Sequence, residues 1–288
     1  MSEVNFSNKK SISEGGSESE RFLAEKNGER YFLKEYQDQR QLRREYVNQS
    51  FLCQISKEGQ TGFEFLQPKK TENTLYYSEL GDDFRWLASG PNAEDEIEGV
   101  QEYFEPMLEF FQFCHRKINF EDLPKDIQRR YEQKGDQHYL DNFDKDSKYL
   151  KNQGLINTGD RSNLRDILAK NIDQRAFQHH DVVPWHMAKN KESGEIILVD
   201  AEWADWSLWA YDIAYYILQM VGYADQVEDA ETVYKKVKQE YSNKDNFDEL
   251  LHCALVYRGT RLAAELHRAD EKKNLDKVIE ITVKGGFE

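Results

Sequence analysis

Two short segments carry acidic side chains that could act on a substrate. The first, HHDVVPWH at residues 179–186, contains a proline that excludes a regular helix interior, so Asp181 is predicted to lie on a loop after a helix. The second, IILVD at residues 196–200, is typical of a short buried strand that ends in Asp200. Two carboxylates delivered in this way can divide the work, because one can accept a proton from a nucleophile while the other holds a divalent cation.

The hydropathy pattern predicts a small lobe of strands and one helix at the start of the chain. Residues 8–36 read as short strands with a tight hairpin turn at KNGE, and residues 39–55 have apolar positions at helical spacing. Two more strand-like runs, GFEFLQ and NTLYYSEL, complete a small antiparallel lobe of about five strands with one long helix. The sequence therefore predicts an N-terminal lobe over residues 1–81.

The rest of the chain, residues 82–288, is predicted to be a larger, mainly helical lobe. Apolar residues recur at helical spacing in six stretches, at about 100–114, 122–134, 160–174, 207–221, 226–241 and 246–268. The fold class is therefore α+β with two lobes.

Charge and cysteine content exclude several classes of protein. The net charge of −15 over 288 residues disfavours binding to nucleic acid or to anionic membranes, and it favours either cationic small molecules or simply good solubility. The three cysteines are far apart and form no CxxC pair, which predicts neither a disulfide framework nor a zinc site. The N-terminus has no apolar segment of the signal-peptide kind, and we expect a cytoplasmic protein.

The two acidic segments resemble the motifs of the aminoglycoside phosphotransferase and choline kinase family, which shares the protein-kinase-like fold. The catalytic loop of that family reads H-G-D-L-x-P-x-N, and this chain matches it at His179, Asp181 and Pro184. The second family block, I-D-W-E followed by D-L-A, resembles residues 199–202 and 212–214. The spacing of 12 residues between the two acids, 212 minus 200, is also the usual one in the family.

The resemblance implies a role for each of these residues. Asp181 would be the catalytic base that orients the acceptor hydroxyl, and Asp200 would bind magnesium. Asp212 would brace the catalytic loop, and His179 would be structural. The implied reaction is transfer of the γ-phosphoryl group of ATP or GTP, with Mg²⁺ or Mn²⁺, to a hydroxyl of a small molecule such as a sugar, an aminoglycoside or a choline-like alcohol.

The N-terminal lobe carries a match to the phosphate-binding loop of the family. The segment ISEGGSES resembles its L-x-G-G-x-S-N form. Gly15, Gly16, Ser17 and Ser19 would let backbone N–H groups approach phosphate oxygens, because glycine tolerates the required dihedral angles. A plain turn is the alternative interpretation of this segment.

A lysine, an acid and a linker follow in family order. Lys34 lies at the end of a predicted strand and Glu45 on the next helix, the arrangement of a lysine that holds nucleotide phosphates and is oriented by an acid. Ser78, Glu79 and Leu80 would form the linker between the lobes, with their backbone contacting adenine. Lys34 and Glu45 could also be ordinary exposed charges, since both residue types are common on strands and helices.

Two departures from the family pattern and one difference from protein kinases bear on the chemistry. His186 stands where the family has an asparagine ligand of magnesium. Four alternatives follow: a single metal held through Asp200, a softer metal bound partly by His186, a direct contact between His186 and a phosphate, or a neutral His186 that only packs beside Trp185. His180 replaces a glycine, and Val183 replaces the lysine usual in protein kinases, which favours a small-molecule acceptor.

Two other functions are compatible with the same residues. A nucleotide-binding pseudokinase, impaired by His186 and acting as a regulatory or scaffold protein, would keep the fold without turnover. An enzyme that transfers AMP in place of phosphate would keep both the fold and the nucleotide site. Trp185, Trp203, Trp206 and Trp209 could line a cage for a cationic acceptor, but packing is the favoured interpretation.

Overall fold

A computed structural model describes residues 6–12, 19–59, 63–81, 83–86, 100–183, 186–271 and 273–287. The chain divides into two compact units, one of residues 1–98 with 184–203 and one of residues 99–183 with 204–288. This division differs from a boundary near residue 81, because residues 187–198 form strands that pair within a sheet of the first unit.

The strands, numbered along the chain, are β1 (Ser7–Ser11), β2 (Ser19–Lys26), β3 (Glu29–Tyr36), β4 (Phe63–Phe65), β5 (Lys69–Lys70), β6 (Thr74–Ser78), β7 (Phe84–Trp86), β8 (Arg175–Gln178), β9 (Met187–Asn190), β10 (Ile196–Leu198) and β11 (Asp205–Leu208). The helices are α1 (Gln39–Gly59), α2 (Val100–Lys117), α3 (Lys125–Asn152), α4 (Thr158–Asn171), α5 (Tyr211–Gly222), α6 (Val227–Glu240), α7 (Phe247–Arg268) and α8 (Leu275–Lys284). Short 3₁₀ turns lie at Phe120–Asp122 and Ala201–Trp203.

The first unit begins with an antiparallel sheet in the order β1-β2-β3-β6-β5. The predicted hairpin at KNGE joins β2 to β3, and both central turn residues, Asn27 and Gly28, have positive φ (56° and 82°). Positive φ at both positions is what a two-residue type I′ turn needs, and asparagine followed by glycine meets that need. The small antiparallel lobe with one long helix is therefore confirmed.

Helix α1 buries one continuous stripe. Leu42, Glu45, Gln49 and Leu52 recur every three or four residues, the spacing of a single helix face, and all are buried. The predicted helix over residues 39–55 is confirmed and continues to Gly59. The stripe contains the polar residues Glu45 and Gln49 as well as two leucines. Buried polar side chains need hydrogen-bond partners, so this helix face must also form polar contacts.

A second sheet of the first unit, in the order β4-β10-β9-β7, positions one of the candidate acids. Strand β10 is buried throughout and pairs parallel with β4 and antiparallel with β9. It is the strand predicted for IILV, and Asp200 follows it by two residues. Strands β7 (FRW) and β9 (MAKN) are additions that the hydropathy pattern does not predict, because neither contains a continuous apolar run like IILV.

The second unit is mainly helical, as predicted. Helix α7 is central and packs against α3, α4, α5 and α8. Its Gly259 permits the close approach of α8, because a Cβ atom at that position would lie 2.0 Å from the hydroxyl of Thr282. Among the described helices, none is both long and apolar enough to cross a membrane.

Three parts of the second unit differ from the sequence prediction. Helix α3 continues far beyond residue 134, across a non-helical Gly135 (φ 55°, ψ −174°) that joins two helical segments. Residues 205–208 form β11, paired with β8, where a helix was expected from residue 207. Helix α8 was not predicted at all.

Candidate active site

Lys34 and Glu45 form a buried ion pair in the first unit. Nζ of Lys34 donates to both carboxylate oxygens of Glu45, at 2.9 and 3.1 Å. Glu45 is completely buried, and it also accepts hydrogen bonds from the hydroxyl of Tyr77, at 2.7 Å, and from that of Tyr36. A carboxylate with this many donors is fixed in one orientation, and it fixes the lysine in turn.

Asp200 joins this pair through the same lysine. Its Oδ1 lies 2.9 Å from Nζ of Lys34, so the ammonium group bridges two carboxylates. Burial alone would raise the pKa of Asp200, but Lys34 and the neighbouring His186 and Arg21 hold it well below its usual range. Asp200 adopts a left-handed conformation (φ 65°), which aspartate tolerates better than most residues.

Helix α1 holds the loop that carries Asp200. One helical turn beyond Glu45, the amide of Asn48 donates to the carbonyls of Ala201 and Glu202, at 2.9 and 3.1 Å. The side chain of the adjacent Gln49 accepts a hydrogen bond from the N–H of Ala201. The buried amide side chains of Asn48 and Gln49 on α1 therefore bind the backbone around Asp200. These hydrogen bonds explain why a buried part of the helix carries amides.

Glu202 adds a third carboxylate. Oxygens of Glu45, Asp200 and Glu202 lie within 4.8 Å of one another, close enough to share a metal ion. Carboxylate oxygens are the ligands that Mg²⁺ and Mn²⁺ prefer, so the donor set fits such a cation. Glu202 also pairs with Arg44 at 2.8 Å, and the guanidinium of Arg44 stacks over Trp203 at 4.0 Å.

Two further basic groups lie near Asp200. Nε2 of His186 is 3.5 Å from Oδ2 of Asp200, so this histidine lies beside the acid. Nη2 of Arg21, on β2, is 3.7 Å from the same oxygen. Lys34, Glu45, Asp200 and His186, four of the predicted site residues, are therefore brought together in the first unit.

Asp181 lies in the second unit on a loop, as predicted, but the element before the loop is strand β8 and not the expected helix. It is partly buried, and its Oδ1 accepts a hydrogen bond of 2.8 Å from the hydroxyl of Tyr215 on α5. Asp212, in the first turn of α5, accepts from the backbone N–H groups of His179 and His180, at 2.6 and 2.8 Å. Helix α5 thus holds both the loop backbone and the Asp181 side chain.

The backbone conformation and the ring environment of His180 show how the loop accommodates a histidine where the motif has a glycine. Its φ is 70°, in the left-handed region that favours glycine. The ring lies over Tyr211 with centroids 4.2 Å apart, and burial lowers the pKa of His180 well below its usual value. The neutral ring of His180 therefore packs against Tyr211 at an interplanar angle of 30°.

A chain of hydrogen bonds continues below the loop. The N–H of Asp212 donates to the side chain of Gln178, at 2.8 Å, and the amide nitrogen of Gln178 lies 2.8 Å from the carbonyl of Trp209 and 3.1 Å from Nε2 of His115. Nδ1 of His115 is 3.0 Å from the hydroxyl of Tyr241. Burial lowers the pKa of His115 to about 3, so this histidine is neutral at physiological pH.

Burial also acts on Asp212 itself. Burial raises its pKa, the two backbone N–H donors lower it, and the negative charge of Asp181 raises it again, with a net result of about 7. The charge state of Asp212, which ties the loop that carries Asp181 to α5, is therefore sensitive to its surroundings.

Some predicted residues cannot be placed at the site. Gly15, Gly16, Ser17, Pro184 and Trp185 lie outside the described residues. Ser19 is the first residue of β2, opposite Tyr36 of β3.

The predicted adenine-binding residues lie at the end of β6. Ser78 is the last residue of the strand, and Glu79 and Leu80 follow it. The N–H of Glu79 donates to the carbonyl of Arg30 at 3.0 Å, and its side chain pairs with the same arginine at 2.7 Å. The backbone N–H of Glu79 is therefore engaged within the first unit.

The described tryptophans belong to separate environments. Trp209 stacks on His115 with centroids 3.9 Å apart, and Trp206 packs on Phe120 at 5.7 Å. Trp203 is 49% exposed and carries the stacked Arg44. Trp206 and Trp209 are thus packing residues.

Several residues of the site are not singled out by the sequence pattern. Arg21, Arg44 and Tyr215 belong to no motif, and Glu202 has no role assigned by its motif. The sequence does contain a signal for the position of Arg21. Counting outward from the hairpin turn at residues 27–28 places Arg21 opposite Lys34. For Tyr215 the signal is its position three residues after Asp212 on the same helix, which places both on one face.

Comparison with solved structures identifies the fold. The structure is similar to the choline kinase LicA from Streptococcus pneumoniae, with a TM-score of 0.57 and 12% identity over 98% of this chain and 94% of that one. It is also similar to an ethanolamine kinase from Plasmodium vivax, with a TM-score of 0.58 and 12% identity over 96% and 82% of the two chains. A third similar structure is the spectinomycin phosphotransferase APH(9)-Ia in complex with ADP and spectinomycin, with a TM-score of 0.59 and 13% identity over 98% and 89%.

These similarities confirm the predicted kinase-like fold over nearly the whole chain. No known family profile matches the sequence, and no curated protein matches it either. The fold is therefore shared with choline kinases, ethanolamine kinases and antibiotic phosphotransferases, while the sequence has diverged to the level of 10–13% identity.

Proposed function

We propose that the protein is an ATP-dependent phosphotransferase that moves the γ-phosphoryl group to a hydroxyl of a small molecule. The observation that carries this proposal is the buried network of Lys34, Glu45 and Asp200. A strand lysine oriented by a helix acid, next to an acid on a following loop, is the set of groups that holds nucleotide phosphates and their metal in kinases. The solved structures of similar fold are named as kinases and phosphotransferases.

The first unit would bind the nucleotide. Lys34 would contact the phosphates while Glu45 keeps the ammonium group in place. Mg²⁺ or Mn²⁺ would be held by Asp200 with Glu202, and the cation would offset the charge that accumulates on the phosphoryl group. The backbone of Ser78 and Leu80, with the carbonyl of Glu79, would bind the base of ATP or GTP.

His186 would change the preference of the site for one metal ion over another. Its Nε2 lies 3.5 Å from Asp200, too far for a strong hydrogen bond but close enough for both groups to face one cation. An imidazole nitrogen favours Mn²⁺ over Mg²⁺ more than an amide oxygen does. The alternative role, a direct contact with phosphate, uses the same position.

The second unit would activate the acceptor. The carboxylate of Asp181, oriented by the hydrogen bond that its Oδ1 accepts from Tyr215, would receive the proton of the attacking hydroxyl. Asp212 would keep the loop in place by binding the N–H groups of His179 and His180. Transfer would then depend chiefly on positioning and electrostatic stabilisation of the phosphoryl group.

A transfer assay tests the proposal. The protein is incubated with ATP, Mg²⁺ and a panel of hydroxyl compounds that includes choline, ethanolamine, spectinomycin and hygromycin B, and products are identified by mass spectrometry. The expected result is a phosphorylated acceptor with release of ADP, lost in Asp181→Asn. Asp166→Asn, the same change on an exposed residue of α4, should retain activity.

The outcomes separate the competing functions. An acceptor carrying AMP, with release of pyrophosphate, would contradict phosphoryl transfer and support nucleotidyl transfer. Nucleotide binding without any product across the panel would favour a pseudokinase with a regulatory or scaffold role.

We also propose a reducing, cytoplasmic location. All three cysteines are buried and free, a state that a reducing compartment preserves. Cell fractionation tests this, and recovery of the protein from an oxidising compartment would contradict it.

A further inference from the structure

We propose that Arg21 is a second phosphate-binding cation, so that the nucleotide phosphates are held by basic side chains from two adjacent strands. This inference rests on the proposed function of the same site. Arg21 on β2 is the direct cross-strand partner of Lys34 on β3 in the antiparallel register. Residues directly opposite each other project from the same face of a sheet, so both side chains approach Asp200 from one side.

The guanidinium of Arg21 has hydrogen-bonding capacity to spare. Its Nη2 lies 3.7 Å from Oδ2 of Asp200, which is longer than a hydrogen bond. Its Nε is buried and has no acceptor among the described residues. A buried donor without an acceptor is costly, so an additional acceptor at this position would be favourable.

Phosphate is the acceptor that fits this group. A guanidinium presents parallel N–H donors that match two oxygens of a phosphate, and it remains charged at any physiological pH. The side chain is 33% exposed, so a ligand can reach it. Arg21 also lies two residues after Ser19, the last residue of the segment that resembles the phosphate-binding loop.

The charges around Asp200 also support a phosphate-binding role for Arg21. Lys34 and Arg21 both approach this carboxylate, at 2.9 and 3.7 Å. If a divalent cation occupies the oxygens of Asp200, Lys34 keeps Glu45 as its partner. Arg21 contacts no other acid among the described residues, so it would need a new anion. The phosphates that arrive with the cation supply one.

Calorimetric titration of the full-length protein tests the inference. Mg²⁺-ATP and adenosine are titrated into the wild type, Arg21→Gln and Arg40→Gln, the last being the same change on an exposed arginine of α1. We expect the dissociation constant of Mg²⁺-ATP to rise about tenfold or more in Arg21→Gln and to stay unchanged in Arg40→Gln. Adenosine, which has no phosphate, should bind all three proteins equally.

A second variant keeps the test decisive if Arg21→Gln folds poorly. Arg21→Lys retains the charge but loses the paired donors, so its affinity for Mg²⁺-ATP should lie between those of the wild type and Arg21→Gln. Thermal unfolding without ligand checks that each variant is folded.

The contradicting outcomes are distinct. Equal affinity of the wild type and Arg21→Gln for Mg²⁺-ATP would overturn the role of Arg21 and leave the proposed function standing. An equal loss for adenosine and Mg²⁺-ATP would also overturn it, because the substitution would then act on the site as a whole. No binding of Mg²⁺-ATP by the wild type would overturn both proposals.

Discussion

Replacement of Glu45 by glutamine should remove the central support of the proposed nucleotide site. Glu45 is completely buried and accepts hydrogen bonds from Lys34, Tyr77 and Tyr36. Glutamine has nearly the same shape, but it is neutral and one of its two oxygens becomes an NH₂ group. That group would face donors, so at least one buried donor would lose its acceptor.

The expected cost follows from these contacts. Breaking a buried ion pair by removing one partner costs about 3–5 kcal/mol, and an unsatisfied buried hydroxyl costs about 1–3 kcal/mol. Lys34 keeps its contact with Asp200 at 2.9 Å, which offsets part of the loss. We therefore expect the free energy of unfolding to fall by about 3–5 kcal/mol, a large share of the about 5–15 kcal/mol typical of a folded protein.

Equilibrium urea unfolding measures this change. Glu58→Gln is the matched control, because it makes the same substitution on an exposed residue of the same helix and should alter stability by no more than about 0.5 kcal/mol. A double-mutant cycle with Lys34→Met isolates the pair, and the two substitutions should be non-additive by about 1 kcal/mol or more. Equal stabilities of Glu45→Gln and Glu58→Gln would refute the reasoning.

Three further predictions concern other parts of the site. Tyr215→Phe removes the hydrogen bond to Asp181, so kcat should fall about tenfold while the affinity for Mg²⁺-ATP is unchanged; a parallel loss of affinity would contradict a positioning role. His186→Asn should shift the ratio of Mn²⁺- to Mg²⁺-supported activity towards Mg²⁺, and an unchanged ratio with unchanged activity would exclude a metal role for His186. Folding lowers the pKa of His115 from 6.5 to about 3, so its stabilising contribution is present above pH 6.5 and is lost as the pH falls. Between about pH 7 and pH 5 the wild type should therefore lose about 2 kcal/mol more stability than His115→Gln, as measured by urea unfolding, and parallel pH profiles would contradict this.

Local signals in the sequence were enough to predict much of the first unit. The asparagine and glycine of the KNGE turn fix the hairpin, and the apolar run before Asp200 is long enough to mark β10. The order of Lys34, Glu45 and Asp200 along the chain predicted that they would act together, and the structure brings them into contact.

Features that depend on long-range pairing were not predicted. Strand β11 has only four residues, and its partner β8 lies some thirty residues earlier. No local period therefore marks it as a strand, and the apolar residues that follow predict a helix from residue 207. Gly135 ended the predicted helix at residue 134, although the chain resumes a helical path after it. A glycine that breaks the dihedral pattern at one residue cannot be told from a true helix end by sequence alone.

The site residues that the sequence analysis missed also fall into two groups, those marked by a local signal and those that depend on long-range contacts. Arg21 was accessible from the sequence, because the register of a two-residue hairpin follows from its turn. Arg44 and Glu202 were not, because their contact joins positions 158 residues apart. The polar residues Asn48 and Gln49 on a buried helix face were a sign of buried hydrogen bonding, but their partners on the Asp200 loop are visible only in the structure.

Binding of nucleotide through the metal at Asp200 is the central claim, and calorimetric titration with ATP tests it most directly. The wild type should bind ATP in the presence of Mg²⁺, and Asp200→Asn should bind it about tenfold more weakly or worse. Without metal, ATP should bind the two proteins with similar affinity. No binding by the wild type with Mg²⁺ or Mn²⁺, or equal metal-dependent affinity in Asp200→Asn, would contradict the claim.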